Sequence, residues 1–226
     1  MKSIFISLLL LIGVSSCIKD DIIDDYVQPR LNITSSVKEL AKGDTFYFEA
    51  QFLNNIGLRE EINPEWISSD TSIISFSDSG IAFGKTKGDA VVMAKHFDSF
   101  ENEWFSDTAY VTISDETIID NEKKSGTVRT TSQYTLQGDF EVEQLENGNL
   151  LISFAANYEA SDNLPGLFVY LTNNPNTTNG ALEIGRVTTF SGEHSYEIEN
   201  VNINDYSTLL YFCKPFNVKV GDGTIQ

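Results

Sequence analysis

Between Leu31 and Ser114 the apolar residues fall at alternate positions. Phe46, Phe48, Ala50 and Phe52 would share one face of a strand, and Ala109, Val111 and Ile113 repeat the pattern later. Ala90-Val91-Val92-Met93-Ala94 is a continuous apolar run, the pattern of a strand covered on both faces. Turn signals separate these runs: Lys42-Gly43-Asp44, Asn54-Asn55-Ile56-Gly57, Asp78-Ser79-Gly80 and Lys87-Gly88-Asp89. No twelve-residue stretch keeps a capped 3.6-residue period. Further along, Tyr134, Leu136, Phe140 and Val142 lie at even spacing around Gly138. Leu150–Phe154, Leu167–Leu171 and Leu209–Cys213 are apolar runs of strand length, and Phe216, Val218 and Val220 alternate near the end. Asn147-Gly148 between apolar segments is a hairpin signal. The pattern predicts an all-β chain of two tandem β-sandwich domains, 31–114 and 125–226, joined by a charged linker over 115–124.

The first sixteen residues break this alternation. One lysine precedes an apolar stretch of about ten residues, too short for a bilayer core of about 30 Å. Small residues then lead into a cysteine, and Val14-Ser15-Ser16-Cys17 resembles the bacterial lipobox. The resemblance implies a lipoprotein signal peptide over 1–16 and acylation of Cys17 with long chains such as palmitate. Each buried methylene contributes about 0.8 kcal/mol, so two or three chains hold almost irreversibly. The acidic stretch 17–30 reads as a tether. Within it, Ile18-Lys19-Asp20-Asp21 resembles the tag that sends lipoproteins of Bacteroidetes-type bacteria to the outer face of the outer membrane. The expected location is therefore an outer-membrane lipid anchor exposed at the cell surface, with the membrane itself the first partner.

Composition narrows the partners further. The net charge of -18 argues against nucleic acid and anionic headgroups, both of which need a positive surface. With Cys17 acylated, Cys213 is the one thiol left and no intramolecular disulfide can form. Each domain must then be held by its core, which a 41% hydrophobic, 12% aromatic composition supports.

Two segments sharpen the domain reading. Pro64-Glu65-Trp66-Ile67-Ser68-Ser69-Asp70-Thr71, followed by Gly80, Gly84 and Gly88, resembles the bacterial Ig-like group-two domain. In that reading Trp66 fills the space between two sheets, and Ser69 and Asp70 form a side-chain-to-backbone turn. The family serves as spacer or adhesive module and brings no catalytic residues. In the second domain four segments resemble the DM-thirteen domain, a family proposed to take part in electron transfer at cell surfaces. They are Ser125–Val128, Pro165–Thr172, Ser191–Ile198 and Tyr211–Val218. The family's hallmark cysteine corresponds to Cys213. Many members carry Gly-Pro-Asp before the Val-Tyr-Leu strand, where this chain has Leu164-Pro165-Gly166.

On a strand over 209–213, Tyr211 shares the face of Cys213 while Leu210 and Phe212 point the other way. Two readings of Cys213 stay open: a buried structural residue behaving as a small hydrophobe, or a redox thiol or prosthetic-group ligand, with haem the disfavoured case. His96 and His194 stand one per domain, so no two-histidine metal site is expected, and C-x-x-C-H is absent. No nucleophile elbow, His-Glu-x-x-His, P-loop or dinucleotide fingerprint occurs. Asp107-Thr108-Ala109 fits a glycosylation tripeptide, and the polar stretch 173–180 reads as an exposed connection. Two functions follow. In the first, the protein is non-enzymatic: the Ig-like domain is a spacer and the C-terminal sandwich binds an unknown protein or glycan. In the second, the C-terminal domain is a cell-surface redox module using Cys213.

Overall fold

The computed structural model describes residues 25–226 apart from 36, 78, 120–122 and 146. The expected signal peptide and surface tag, with Cys17, lie outside the described residues. Apart from one short 3-10 turn, every regular element described is a strand.

The first half holds ten strands: β1 (Arg30–Ile33), β2 (Glu39–Ala41), β3 (Thr45–Tyr47), β4 (Ala50–Leu53), β5 (Arg59–Glu60), β6 (Glu65–Ser68), β7 (Ile74–Phe76), β8 (Ile81–Gly84), β9 (Gly88–Asp98) and β10 (Glu103–Ser114). They form a four-stranded sheet, β2-β10-β9-β6, and two three-stranded sheets, β1-β4-β5 and β3-β8-β7. Only β2 and β10 pair in parallel; the other pairs are antiparallel. One core takes residues from all three sheets, including Phe48, Phe52, Ile74, Val92 and Ile113. Trp66 packs at its margin, stacked on Phe76 with ring centroids 5.5 Å apart and tilted against Phe48 at 5.6 Å. Asp70 closes the turn expected of it, accepting from the Ser72 amide (2.8 Å) and hydroxyl (2.6 Å). Ser69 instead accepts from the Val91 amide at 2.9 Å and ties that turn to β9.

Two expectations change here. Phe46, Phe48, Ala50 and Phe52 do face inward, but on two short strands in different sheets, because the chain changes sheets at Phe48-Glu49. The run Ala90–Ala94 is covered on one face only. Ala90, Val92 and Ala94 are buried, whereas Val91 and Met93 are half-exposed on the outer face.

The second half is a single nine-stranded sheet: β11 (Lys123–Thr130), β12 (Leu136–Gln144), β13 (Leu150–Phe154), β14 (Glu159–Ala160), β15 (Leu167–Thr172), β16 (Leu182–Arg186), β17 (His194–Ile198), β18 (Thr208–Cys213) and β19 (Val218–Thr224). Its order is β16-β15-β18-β19-β11-β12-β13-β17, with β14 on β12. The sheet curls until its inward residues fill one continuous core, leaving β16 and β17 as free ends. Asn147-Gly148 makes the β12–β13 hairpin, with Gly148 at φ 84°. Phe216 departs from the expected alternation. It lies in the 3-10 turn Lys214–Phe216, exposed, because Pro215 interrupts the strand and Asn217 reverses the chain at φ 52°.

The polar loop after β15 also departs from expectation. Asn173 and Asn174 are buried, Asn174 to 1% exposure, against the first half of the chain. Asn174 Nδ2 donates to the carbonyls of Ile56 (3.0 Å) and Asp25, and Asn173 Oδ1 accepts from Arg30 (3.0 Å). Gln51, also buried, donates to the carbonyls of Asn204 (2.9 Å) and Asp205 (3.1 Å). The two β units therefore meet at a polar junction whose side-chain groups are paired across it. The end of the expected tether is held there too: besides Asp25, Val27 donates its amide to Asn55.

Candidate functional site

The interior of the C-terminal sheet concentrates oxidisable and titratable side chains. β18 is buried along its whole length, with Leu209, Tyr211 and Cys213 turned into the main core. Leu210 and Phe212 turn the other way and join Tyr170 in a separate small cluster, as the strand period requires. Cys213 is free and buried, flanked in register by Leu167 on β15 and Val218 on β19.

Facing Tyr211 across the core is a group of rings from β13, β17 and the turn after β13. Phe154 and His194 are direct cross-strand partners and stack at 4.6 Å with planes 5° apart. Tyr196, two residues along β17, lies edge-on to His194 at 5.5 Å. Tyr158 comes from the turn 155–158, closed by its amide on the Ala155 carbonyl (3.0 Å) and by its own carbonyl accepting from Gly192 (2.9 Å). Its ring meets His194 edge-on at 4.5 Å and lies 6.3 Å from Tyr211. Gly138 makes this position available. It sits at φ 134°, and a Cβ there would come within 2.5 Å of the Tyr158 Cα.

Three polar atoms in this group are buried without a hydrogen-bond partner: Tyr158 Oη, Tyr211 Oη and His194 Nε2. The two phenols are close enough to affect each other's proton affinity without forming a hydrogen bond that meets ordinary geometry. Burial pushes Tyr158 up to about 12, the nearby Tyr211 hydroxyl opposing it in part. Burial also raises Tyr211 well above 10, followed by the neighbouring Tyr158 phenol. Both stay protonated near neutrality. His194 Nδ1 lies 3.0 Å from the Gly192 carbonyl; a carbonyl only accepts, so Nδ1 carries a proton and Nε2 is the one ring nitrogen left that can hold a lone pair.

A prosthetic group bound at Cys213 does not fit this interior. Cys213, Leu167, Val169, Leu209, Tyr211 and Val220 have at most 1% exposure. They therefore offer essentially no surface to a water-sized body, whether from outside or from an internal void. A macrocycle would have to displace the core itself. Among the described residues, no cluster of three or more His, Cys, Asp or Glu side chains is arranged to hold a metal ion.

An open groove of about 820 Å³ lies elsewhere, over β11, β12, β13 and β19. Arg129 stands in it among Asp139, Glu141 and Asp222. Asp139 is held below its ordinary range by hydrogen bonds from Thr127 (2.7 Å) and Asn157 (2.8 Å).

Residues 127–225 match the family described as Electron transfer DM13. The match covers nearly the whole nine-stranded unit and includes Tyr158, His194, Tyr196, Tyr211 and Cys213. No curated protein matches the chain. The sequence placed Tyr211 beside Cys213 on one strand face, and the DM13-like domain has that arrangement. It named His194 only as the one histidine of the second domain. Tyr158 carried no signal, because its ring reaches the site from a turn whose position depends on Gly138 and Gly192.

Proposed function

We propose that this protein is a lipid-anchored redox module of a bacterial envelope, with electrons exchanged through side chains of the DM13-like domain. Cys17 is its acylation site, and the first β unit is an Ig-like spacer that lifts the second away from the outer membrane toward the cell exterior. The observation that carries the redox reading is the coincidence of the family match with a buried row of oxidisable groups. Tyr196, His194, Tyr158 and Tyr211 follow one another at centroid spacings of 4.5–6.3 Å, and Cys213 shares the strand face of Tyr211. Electron exchange in this reading needs no haem at Cys213.

The test is reaction with a one-electron oxidant, hexachloroiridate(IV), followed in stopped flow. Native protein is expected to take up oxidising equivalents and pass them to an added reductant. Equal behaviour of the triple variant Tyr158→Phe/Tyr211→Phe/Cys213→Ser would sink the reading. Mass spectrometry of the membrane-extracted protein checks the anchor, with an acylated Cys17 as the new N-terminus expected.

A second reading, partner binding, draws on the outer face of the β9–β10 hairpin. Phe97, Trp104 and Tyr110 are exposed there and Phe100 at the hairpin turn, Phe100 and Tyr110 to 81%. Exposed rings on a flat sheet stack on sugar faces and pack on protein surfaces alike. Glycan binding lost in Trp104→Ala/Tyr110→Ala, measured by calorimetry, would support this role.

A further inference from the structure

A buried hydroxyl without a partner costs about 1–3 kcal/mol, so three unpaired polar atoms in one core require a physical reason. Tyr158 Oη, Tyr211 Oη and His194 Nε2 have almost no surface that a water molecule could touch. The environment is dry and aromatic, with Phe154 stacked on one side of the imidazole and Tyr158 and Tyr196 against its edges. A phenol in such a place cannot lose its proton to solvent. Oxidation of that phenol must therefore hand the proton to a base inside the core. Among the described residues one base is in place. His194 Nε2 is the ring nitrogen able to accept a proton, because the Gly192 carbonyl holds Nδ1 as a donor.

We infer that Tyr158 and His194 form a proton-coupled redox pair, in which Tyr158 is the side chain oxidised and His194 Nε2 takes its proton. This rests on the redox reading above and specifies its site. The step balances with a one-electron oxidant presented at the surface of the domain. One electron leaves the Tyr158 ring for that oxidant. The O–H bond breaks and its proton forms a bond to His194 Nε2 once a small ring rotation brings the two atoms, which share no hydrogen bond at rest, into contact. The products are a neutral tyrosyl radical, an imidazolium and the reduced oxidant. Reduction by a one-electron donor returns the proton to the phenol. Tyr196, half-buried, contacts His194, and Tyr211 contacts Tyr158, so the pair connects a partly exposed ring to the strand face of Cys213. Tyr158 is a redox residue in this scheme, and His194 is its proton acceptor.

The experiment uses the full mature chain and photogenerated tris(bipyridine)ruthenium(III), with electron paramagnetic resonance to identify the radical. A neutral tyrosyl radical is expected whose formation slows in D2O. Its yield should fall at least about tenfold in Tyr158→Phe, and its rate at least about tenfold in His194→Gln. Tyr158→Phe removes a hydroxyl that has no partner, so the variant should fold; the D2O comparison on native protein needs no variant at all. A radical of undiminished yield in Tyr158→Phe would overturn the pair. So would a rate indifferent to both D2O and His194→Gln. If Cys213→Ser abolishes oxidation while Tyr158→Phe leaves it intact, the redox reading stands and this inference falls. If the radical forms only on exposed tyrosines such as Tyr110, both fall.

Discussion

Tyr158 and Tyr211 tie the stability of this protein to alkaline pH. Unfolded tyrosines ionise near pH 10, whereas native Tyr158 is pushed up to about 12 and native Tyr211 well above 10. The unfolded chain thus loses these protons first. The stability they confer is whole below about pH 10 and is lost as pH rises through the native values. Urea midpoints measured across this range should fall steeply in the native protein and more gently in Tyr158→Phe/Tyr211→Phe. Cys213 makes a different prediction. Its sulfur has no exposed surface, so alkylating reagents should modify it only after unfolding, as mass spectrometry of native and denatured samples will show. Cys213→Ser puts a hydroxyl among Leu167, Tyr211 and Val220 and should cost about 1–3 kcal/mol in denaturant melts. The buried location of Cys213 was legible from the run Leu209–Cys213. The loss of partners at two phenols was not, because satisfaction of a hydroxyl depends on atoms from strands far apart in the chain.

At the level of elements, the turn 155–158 decides whether the aromatic group assembles. β12 must leave room for the Tyr158 backbone, and Gly138 provides it in a conformation that side chains rarely adopt. Gly138→Ala should destabilise the domain by roughly 2 kcal/mol or more, because both the φ and the 2.5 Å approach oppose a Cβ. Near-ultraviolet circular dichroism of the aromatic group is expected to weaken in parallel. The even spacing of Leu136, Phe140 and Val142 around Gly138 showed where β12 runs. It did not show why a glycine interrupts an inward row, since the reason is a backbone arriving from the next turn. Ala90–Ala94 teaches the converse. Five apolar residues in succession imply two covered faces, yet Val91 and Met93 lie on an outer face shared with Tyr110 and Ile67. That face carries apolar side chains without being buried, as the outer face of β3 and β8 also does at Tyr47, Ile81 and Phe83.

In the whole molecule, the two β units are joined by more than their linker. Gly57 carries part of this junction, since a Cβ on it would meet the Asn173 backbone at 3.0 Å at a φ of 76°. Asn174→Ala removes the donor to the Ile56 and Asp25 carbonyls and should lower stability by about 1–3 kcal/mol. The native chain is expected to melt in one calorimetric transition and the variant in two, because the junction couples the halves. Small-angle scattering should show the variant more extended. Local sequence set the all-β character and the sharing of one strand face by Tyr211 and Cys213. Each is set by a period of two along the chain, or by turn residues whose backbone preferences are local. Tertiary structure alone decided that Asn173 and Asn174 join the halves, and that Tyr158, His194 and Tyr211 meet without partners. Such meetings depend on strand order and on how far the sheet curls, which no local spacing encodes.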